Sequence, residues 1–150
     1  MMRILFFSIC IQLVANEVHE FNELHEFAGK HYIASFLDCD VNALSDLQGL
    51  MAAMDKAVFS CGATVLNKTY HVFPPDGLTA VYLLSESHAS IHTYPEYGAC
   101  FVDLFTCGEK PSAKIFDEVL RSYLRPAKVE TRYFLRSQEI AELAYIPSGR

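Results

Sequence analysis

The sequence predicts an α+β fold, a two-layer sandwich with a mainly antiparallel sheet and two helices on one of its faces. Two segments have apolar residues at spacings of three and four, which is typical of amphipathic helices. The segments around them are rich in β-branched and aromatic residues and are separated by turn sequences. With 150 residues, of which 51% are hydrophobic, the chain has enough apolar side chains for one packed domain.

The first predicted strand covers His31–Leu37, and the first predicted helix covers Asn42–Cys61. Asn42 or Ser45 is a candidate N-terminal cap, and Gly62 lies where a C-terminal cap is expected. The apolar face of this helix consists of Leu44, Leu47, Leu50, Met51, Met54 and Val58.

The middle of the chain predicts three further strands. Ala63–Phe73 and Leu78–Leu84 are separated by a Pro-Pro-Asp-Gly turn at 74–77, because proline and glycine interrupt regular structure. Ala99–Cys107 is another strand, and Gly108 ends it.

A second helix begins at Pro111 and Ser112 and ends before Pro126. After it, Lys128–Leu135 alternates in polarity, which predicts a last strand with one buried face. The apolar stripe of the helix is Ile115, Phe116, Val119, Leu120, Tyr123 and Leu124, and the buried face of the strand is Val129, Thr131, Tyr133 and Leu135.

Charge and cysteine usage exclude several classes of function. The net charge is −6 and no segment carries a stripe of Lys and Arg, so we expect no nucleic-acid partner. The five cysteines contain no C-x-x-C pair, which argues against a disulfide framework or a structural metal. Reduced thiols indicate a cytoplasmic protein.

Residues 1–28 form an N-terminal extension that resembles a secretory signal in part. Arg3 precedes an apolar run over 4–14, but Leu13 stands three residues before the end of the candidate signal at Ala15, where a small residue is expected. The run is also too short to cross a bilayer, so we expect no membrane partner.

The stretch over 84–108 is the predicted functional site. Packed cores rarely hold many polar and titratable groups, because each buried one must find a partner. This stretch concentrates Ser85, Glu86, Ser87, His88, Ser90, His92, Glu96 and Cys107.

Three general interpretations of these residues are open. Ser87, His92 and Glu96 could form a hydrolase site, but the stretch lacks a G-x-S-x-G elbow. His88 and His92 have the spacing of metal ligands on a helix, but the segment is extended in pattern and lacks further ligands, so we expect no metal. The histidines could also simply form hydrogen bonds within a turn.

The stretch closely resembles the signature of prokaryotic S-adenosylmethionine decarboxylase proenzymes. The similarity extends more loosely from Gly29 to Arg136 and so covers most of the chain. The matching motifs are Glu86-Ser87-His88, Ile91-His92-Thr93, Tyr94, Pro95-Glu96-Tyr97-Gly98 and Asp103-Leu104-Phe105-Thr106-Cys107-Gly108.

The resemblance implies a pyruvoyl-dependent decarboxylase domain over 29–150. It implies self-cleavage between Glu86 and Ser87 into a β chain of residues 1–86 and an α chain of residues 87–150, with Ser87 converted into the pyruvoyl group. That group would form a Schiff base with S-adenosylmethionine and release carbon dioxide, because a ketone next to an amide is an electron sink. The product would serve spermidine biosynthesis. The family also implies a homodimer of αβ protomers.

The resemblance also implies roles for five other residues. His92 would transfer protons during cleavage, which suits histidine near neutral pH. Thr79 stands where the family usually has a serine that supports cleavage. Cys107 would donate a proton to the product carbon. Phe73 would stack on adenine, and Glu96 would bind the ribose hydroxyls.

Departures from the family pattern keep two alternatives open. Asp76 replaces the histidine that the family usually has in this turn, and Tyr94 replaces a tryptophan. Asp76 could bind the distal cation of arginine or ornithine, which would make the chain a decarboxylase of a basic amino acid. The second alternative is an uncleaved regulatory paralogue. The presence of Ser87, His92 and Cys107 together argues against it.

Overall fold

The computed structural model describes residues 28–137, which form one six-stranded antiparallel sheet with helices on one face. The predicted α+β two-layer sandwich is therefore confirmed. The strand order is β2-β3-β4-β5-β1-β6. None of the described helices is long and apolar enough to cross a membrane. The elements are β1 (Ala28–Leu37), α1 (Val41–Ser45), α2 (Leu47–Ser60), β2 (Val65–Phe73), β3 (Gly77–Leu84), β4 (Ser87–Tyr94), a 3-10 turn (Pro95–Tyr97), β5 (Ala99–Thr106), α3 (Ala113–Leu124) and β6 (Lys128–Ser137).

The core lies between the sheet and the helices. Phe36 and Tyr82 from the sheet, Met54 from α2, and Phe116 and Leu120 from α3 are all buried in one cluster. Burying a large apolar side chain stabilises the fold by about 1.5–3 kcal/mol. This layer therefore anchors the strands, and the site residues are on or next to these strands.

The predicted helix over Asn42–Cys61 is wrong in one respect, because it is two helices. Asp46 has non-helical backbone between them, and its carboxylate accepts a hydrogen bond from the backbone N–H of Gly49. Asp40 caps α1 in the same way, so neither Asn42 nor Ser45 is the cap. The apolar spacing continues across the break because both helices face the same core. Gly62, with φ +92°, follows the end of α2 as predicted.

Strand bounds also differ from the sequence-based ones. The second strand begins at Val65, and the extended stretch that begins at Ser87 is a full strand, β4. The predicted buried face of the last strand is wrong at Tyr133 and Leu135, which are 61% and 56% exposed. β6 is an edge strand that pairs only with β1, so these side chains lie at the margin of the core. Val129 packs against the core cluster, and the ring centre of Tyr133 lies 5.1 Å from that of buried Tyr32 at its margin.

The sheet face away from the helices is called the open face below. Among the described residues no helix covers it, and several large apolar side chains on it are exposed. The antiparallel register arranges it in three cross-strand rows. They are Thr79–His92–Phe101–Ser35–Glu130, Val81–Ser90–Asp103–Ile33–Arg132 and Leu83–His88–Phe105–His31–Phe134.

Candidate active site

The junction between β3 and β4 carries the predicted cleavage point. Ser85 and Glu86 form a tight turn, and Ser87 is the first residue of β4. The φ angle of Ser87 is +138°, a region that residues with a side chain rarely adopt. Such outliers cost on the order of 1–3 kcal/mol and cluster at functional sites. The Glu86–Ser87 peptide bond therefore lies at a strained point of the backbone.

Hydrogen bonds hold this peptide from two sides. The register of β4 and β5 places Cys107 opposite Glu86, and the backbone N–H of Cys107 donates to the carbonyl oxygen of Glu86 at 2.8 Å. On the other side, the backbone N–H of Thr64 donates to the carboxylate of Glu86 at 2.9 Å.

The same hydrogen bond affects the charge of Glu86. Burial is the largest single effect and would raise the pKa of this carboxyl, but the hydrogen bonds from the backbone N–H groups of Thr64 and Glu86 and from the side chains of Thr64 and Ser85 together lower the pKa below its usual value. Glu86 is therefore ionised at neutral pH and stays anchored beside the cleavage point.

The hydroxyl of Ser87 contacts a histidine that the sequence analysis assigned to no role. Oγ of Ser87 lies 3.1 Å from Nδ1 of His88. On the other side of that ring, Nε2 of His88 lies 3.7 Å from Oδ1 of Asp103, and the same oxygen lies 3.7 Å from Nε2 of His31. His31 was missed because it is 57 positions from His88 in the sequence. Asp103 belongs to the matched Asp-x-Phe-Thr-Cys-Gly motif, which was the available signal.

A second set of site residues surrounds His92. Oγ1 of Thr79 and Nδ1 of His92 form a short hydrogen bond across β3 and β4. The ring centres of Phe73 and Tyr94 lie 6.0 and 4.4 Å from that of His92. Glu96 is exposed in the 3-10 turn that follows β4.

The predicted residues therefore form two groups rather than one. Glu86, Ser87, His88 and Cys107 are called the cleavage group below. Phe73, Thr79, His92 and Tyr94 are called the aromatic group.

Within one chain the two groups are far apart. Ser87 and His92 are five residues apart on β4, which corresponds to roughly 17 Å in a strand. A hydrolase site that joins Ser87 and His92 of one chain is therefore wrong.

The described cysteines differ in their exposure. Among the described residues, Cys107 is exposed, whereas Cys39, Cys61 and Cys100 are buried. Burial raises the pKa of the Cys39 thiol to about 11 and also raises the pKa values of Cys61 and Cys100. These three behave as small core residues, whereas Cys107 is the exposed cysteine of the cleavage group.

Comparisons with known proteins show which family this chain resembles. A family model described as S-adenosylmethionine decarboxylase matches residues 30–137. An S-adenosylmethionine decarboxylase proenzyme of Methanococcus aeolicus is 43% identical over 102 residues, which is 68% of this chain and 87% of that protein. One from Thermosipho africanus is 39% identical over 110 residues, or 73% and 85% of the two chains.

A solved structure supports the same assignment. The crystal structure of the adenosylmethionine decarboxylase from Aquifex aeolicus aligns with a TM-score of 0.69 at 29% identity. The alignment covers 75% of this chain and 92% of that one. Fold and site together therefore define a two-layer α+β decarboxylase. More particularly, the chain belongs to the S-adenosylmethionine decarboxylase family.

Proposed function

We propose that this chain is a proenzyme that cleaves itself between Glu86 and Ser87 and then decarboxylates S-adenosylmethionine. The relatives are named S-adenosylmethionine decarboxylase proenzymes. The observation that carries the proposal is the geometry of the cleavage point, where a backbone N–H of Cys107 already contacts the carbonyl oxygen of Glu86. The products are a chain of residues 1–86 and a chain of residues 87–150, and both contribute strands to the same sheet. The cytoplasmic location expected from the sequence stays a prediction.

The first chemical step exchanges an amide for an ester. Oγ of Ser87 attacks the carbonyl carbon of Glu86, and its proton passes to Nδ1 of His88, which lies 3.1 Å away. The bond between that carbon and the nitrogen of Ser87 then breaks, and the nitrogen takes up the proton from His88 as it becomes a free amine. Negative charge that develops on the carbonyl oxygen is stabilised by the N–H of Cys107, as in an oxyanion hole. The strain at the φ angle of Ser87 favours leaving the starting conformation.

The second step is an elimination. A base removes the α-proton of Ser87, and the carboxylate of Glu86 leaves from Cβ. The resulting dehydroalanine then reacts with water. Its nitrogen leaves as ammonia, and a pyruvoyl group remains. His92 is the base in our proposal, and Thr79 orients its ring through Nδ1. Since His92 is roughly 17 Å from Ser87 within one chain, it acts from a second copy.

A homodimer of αβ protomers provides that second copy. If two copies pack open face to open face with their strands antiparallel, the cleavage group of each copy faces the aromatic group of the other. The exposed apolar side chains of the open face support this arrangement, because such patches mark protein interfaces. They include Val81, Leu83, Phe101 and Phe134, each 41% exposed or more.

The pyruvoyl group fits the residues of this site because it needs only the backbone and Cβ of Ser87. When present, it withdraws electrons from the substrate carbon that loses carbon dioxide. Cys107 lies next to it across the β4–β5 ladder, and its exposed thiol is placed to donate a proton to that carbon. In this proposal the backbone at Ser87 supplies the pyruvoyl group, and the thiol of Cys107 supplies the proton for the last step.

The aromatic group favours S-adenosylmethionine over a basic amino acid. The substrate carries a sulfonium cation, an adenine ring and a ribose diol, which aromatic faces and a carboxylate bind well. Phe73 and Tyr94 supply faces near His92, and Glu96 is an acceptor for the diol. Asp76 is half-buried in the turn before β3, where aspartate is common for local backbone reasons.

Denaturing gels and assays of carbon dioxide release test this function. We expect two fragments, the smaller of which resists Edman sequencing because it has lost its amine. Ser87→Ala should give only full-length, inactive chain, whereas Ser60→Ala, a change in an exposed serine at the end of α2, should cleave normally. S-adenosylmethionine, arginine and ornithine are compared side by side. Preference for arginine or ornithine, or a wild-type chain that never cleaves, would contradict the proposal.

A further inference from the structure

Three metal-ligating side chains converge on the open face beside the cleavage group. His31 from β1, His88 from β4 and Asp103 from β5 each offer one ligand atom, and these atoms lie within 4.8 Å of one another. All three are half-buried. They come from three adjacent strands, so the sheet itself fixes their spacing.

The distances suit a shared ion better than direct hydrogen bonds. Oδ1 of Asp103 is 3.7 Å from Nε2 of each histidine, which is longer than a normal hydrogen bond. With metal–ligand bonds of about 2.0–2.2 Å, neighbouring ligands of a tetrahedral ion lie about 3.4 Å apart. Nε2 of His31 is buried and has no hydrogen-bond partner, so this nitrogen lacks the contact that a buried polar atom requires.

The surroundings hold these ligands in place. Oγ of Ser90 donates a short hydrogen bond to Oδ2 of Asp103, which leaves Oδ1 turned toward the histidines. The ring of Phe105 packs between the two imidazoles, with ring centres 5.3 Å from His31 and 5.6 Å from His88. Oriented carboxylates and apolar neighbours of this kind are typical of the shell around metal ligands.

We infer that His31, His88 and Asp103 bind one divalent transition-metal ion of the zinc type. Two neutral imidazoles and one carboxylate are a usual ligand set for such an ion, with water as a fourth ligand. The prediction of no metal site considered only His88 and His92, which come from one segment. The two other ligands of the ion, His31 and Asp103, come from β1 and β5. The sequence does not show that these strands lie beside the strand of His88.

The same ion would affect self-cleavage, and this part rests on the proposed function. A metal on Nε2 of His88 leaves the ring proton on Nδ1, the atom that faces Oγ of Ser87. Nδ1 then donates to the hydroxyl and can no longer accept its proton. The bound ion therefore slows the first step of cleavage, and a chelator restores it.

Binding is measured first on the Ser87→Ala chain, which neither cleaves nor decarboxylates. Calorimetry with Zn²⁺ should show one ion per chain, and Co²⁺ should give the visible absorption of tetrahedral coordination. His31→Ala and Asp103→Asn, each added to this chain, should weaken binding about 10- to 100-fold or more. His71→Ala is the matched control, because His71 is an exposed histidine on β2 and should leave binding unchanged. Absent binding, or binding that survives His31→Ala, would overturn the site whether or not the enzyme is active.

The coupling is measured on freshly made wild-type chain by following fragment formation with and without saturating Zn²⁺. We expect slower cleavage with the ion, reversal by chelator, and no effect of the ion on His31→Ala. Zinc binding without slower cleavage, or slower cleavage by zinc that persists in His31→Ala, would overturn the coupling. The metal site itself would still stand. A wild-type chain that never cleaves contradicts the proposed function instead.

Discussion

At the scale of single residues, Cys107 contributes two separate groups to the site. Its backbone N–H contacts the carbonyl oxygen of Glu86, and its side chain, which carries the thiol, is exposed. A substitution of the side chain removes only the second group. Cleavage and decarboxylation can therefore be separated by one mutation.

Cys107→Ala should still cleave at least in part, because alanine keeps the backbone N–H. Its rate of carbon dioxide release should fall about 10²- to 10⁴-fold, the usual contribution of a positioned proton donor. A larger share of turnovers should end in transamination, which inactivates the cofactor. Gels follow the first effect, and product analysis follows the other two. A variant with normal rate and lifetime would contradict the role of the thiol.

Thr79 contributes a hydroxyl where the family usually has serine. Thr79→Val keeps the shape of the side chain but removes the hydrogen bond to Nδ1 of His92. We expect self-cleavage to slow about tenfold or more, since one lost hydrogen bond is worth about 0.5–1.5 kcal/mol and the ring also loses its orientation.

The rate of fragment formation measures this effect. Thr79→Ser keeps the hydroxyl and should cleave close to the wild-type rate. Thr69→Val, a change in an exposed residue of β2, controls for the loss of a surface threonine. Unchanged cleavage in Thr79→Val would show that this hydroxyl does not support maturation.

At the scale of elements, much of the helix and strand pattern is readable from the sequence. Apolar spacing locates α2 and α3, and Ser112, predicted at the start of the second helix, is the N-terminal cap of α3. The break at Asp46 is not readable, because the apolar spacing continues across it. The backbone N–H of Asp46 ends α1, and its carboxylate caps α2. The alternation in β6 is real as well, but burial depends on whether a helix reaches that edge, which periodicity does not reveal.

Asp40 joins two elements and gives a prediction about pH. Its carboxylate caps α1 and forms an ion pair with Arg125, which follows α3. The hydrogen bond from Arg125 is the main cause that lowers the pKa of Asp40. Because the folded-state pKa lies below the unfolded one, this stabilisation is present at neutral pH and is lost as the pH falls through the folded-state value.

Asp40→Asn keeps a capping side chain but removes the charge. We expect a lower urea midpoint than wild type at pH 7 and a difference that shrinks as the pH falls below about 4. Arg125→Gln is the matched partner change, and adding it to Asp40→Asn should cost little more than either change alone. A difference between wild type and Asp40→Asn that is constant with pH would contradict the ion pair as its cause.

At the scale of the whole molecule, the sequence identifies site residues but not their arrangement. The motif over 84–108 contains Ser87, His92 and Cys107, and their closeness along the chain suggested one site. Because an extended strand places residues far apart even when they are close in sequence, Ser87 and His92 lie at opposite parts of β4. Conversely, the sheet brings His31 to His88 across 57 positions. Register decides both outcomes, and register is a property of the folded sheet.

The separation of the two groups leads to a test of the dimer by complementation. His92→Ala chains keep an intact cleavage group, and Ser87→Ala chains keep an intact aromatic group. If each site joins groups from two copies, a mixed dimer contains one complete site, in which the His92→Ala chain meets His92 of the partner subunit. Co-expression should therefore restore cleavage of the His92→Ala chain. Expressed alone, Ser87→Ala should stay uncleaved, and His92→Ala should give at most an ester that hydroxylamine splits.

Different affinity tags on the two chains show which one is cut. With random pairing about half of the dimers are mixed, so roughly half of the His92→Ala chains should be processed and none of the Ser87→Ala chains. Co-expression of Ser87→Ala with the double variant Ser87→Ala/His92→Ala should yield no fragments and serves as the control. If co-expressed His92→Ala chains form mixed dimers yet remain uncut, His92 of the partner subunit does not serve the cleavage group. The open-face arrangement would then be wrong, because only a partner's His92 can span the roughly 17 Å that separate the two groups in a single sheet.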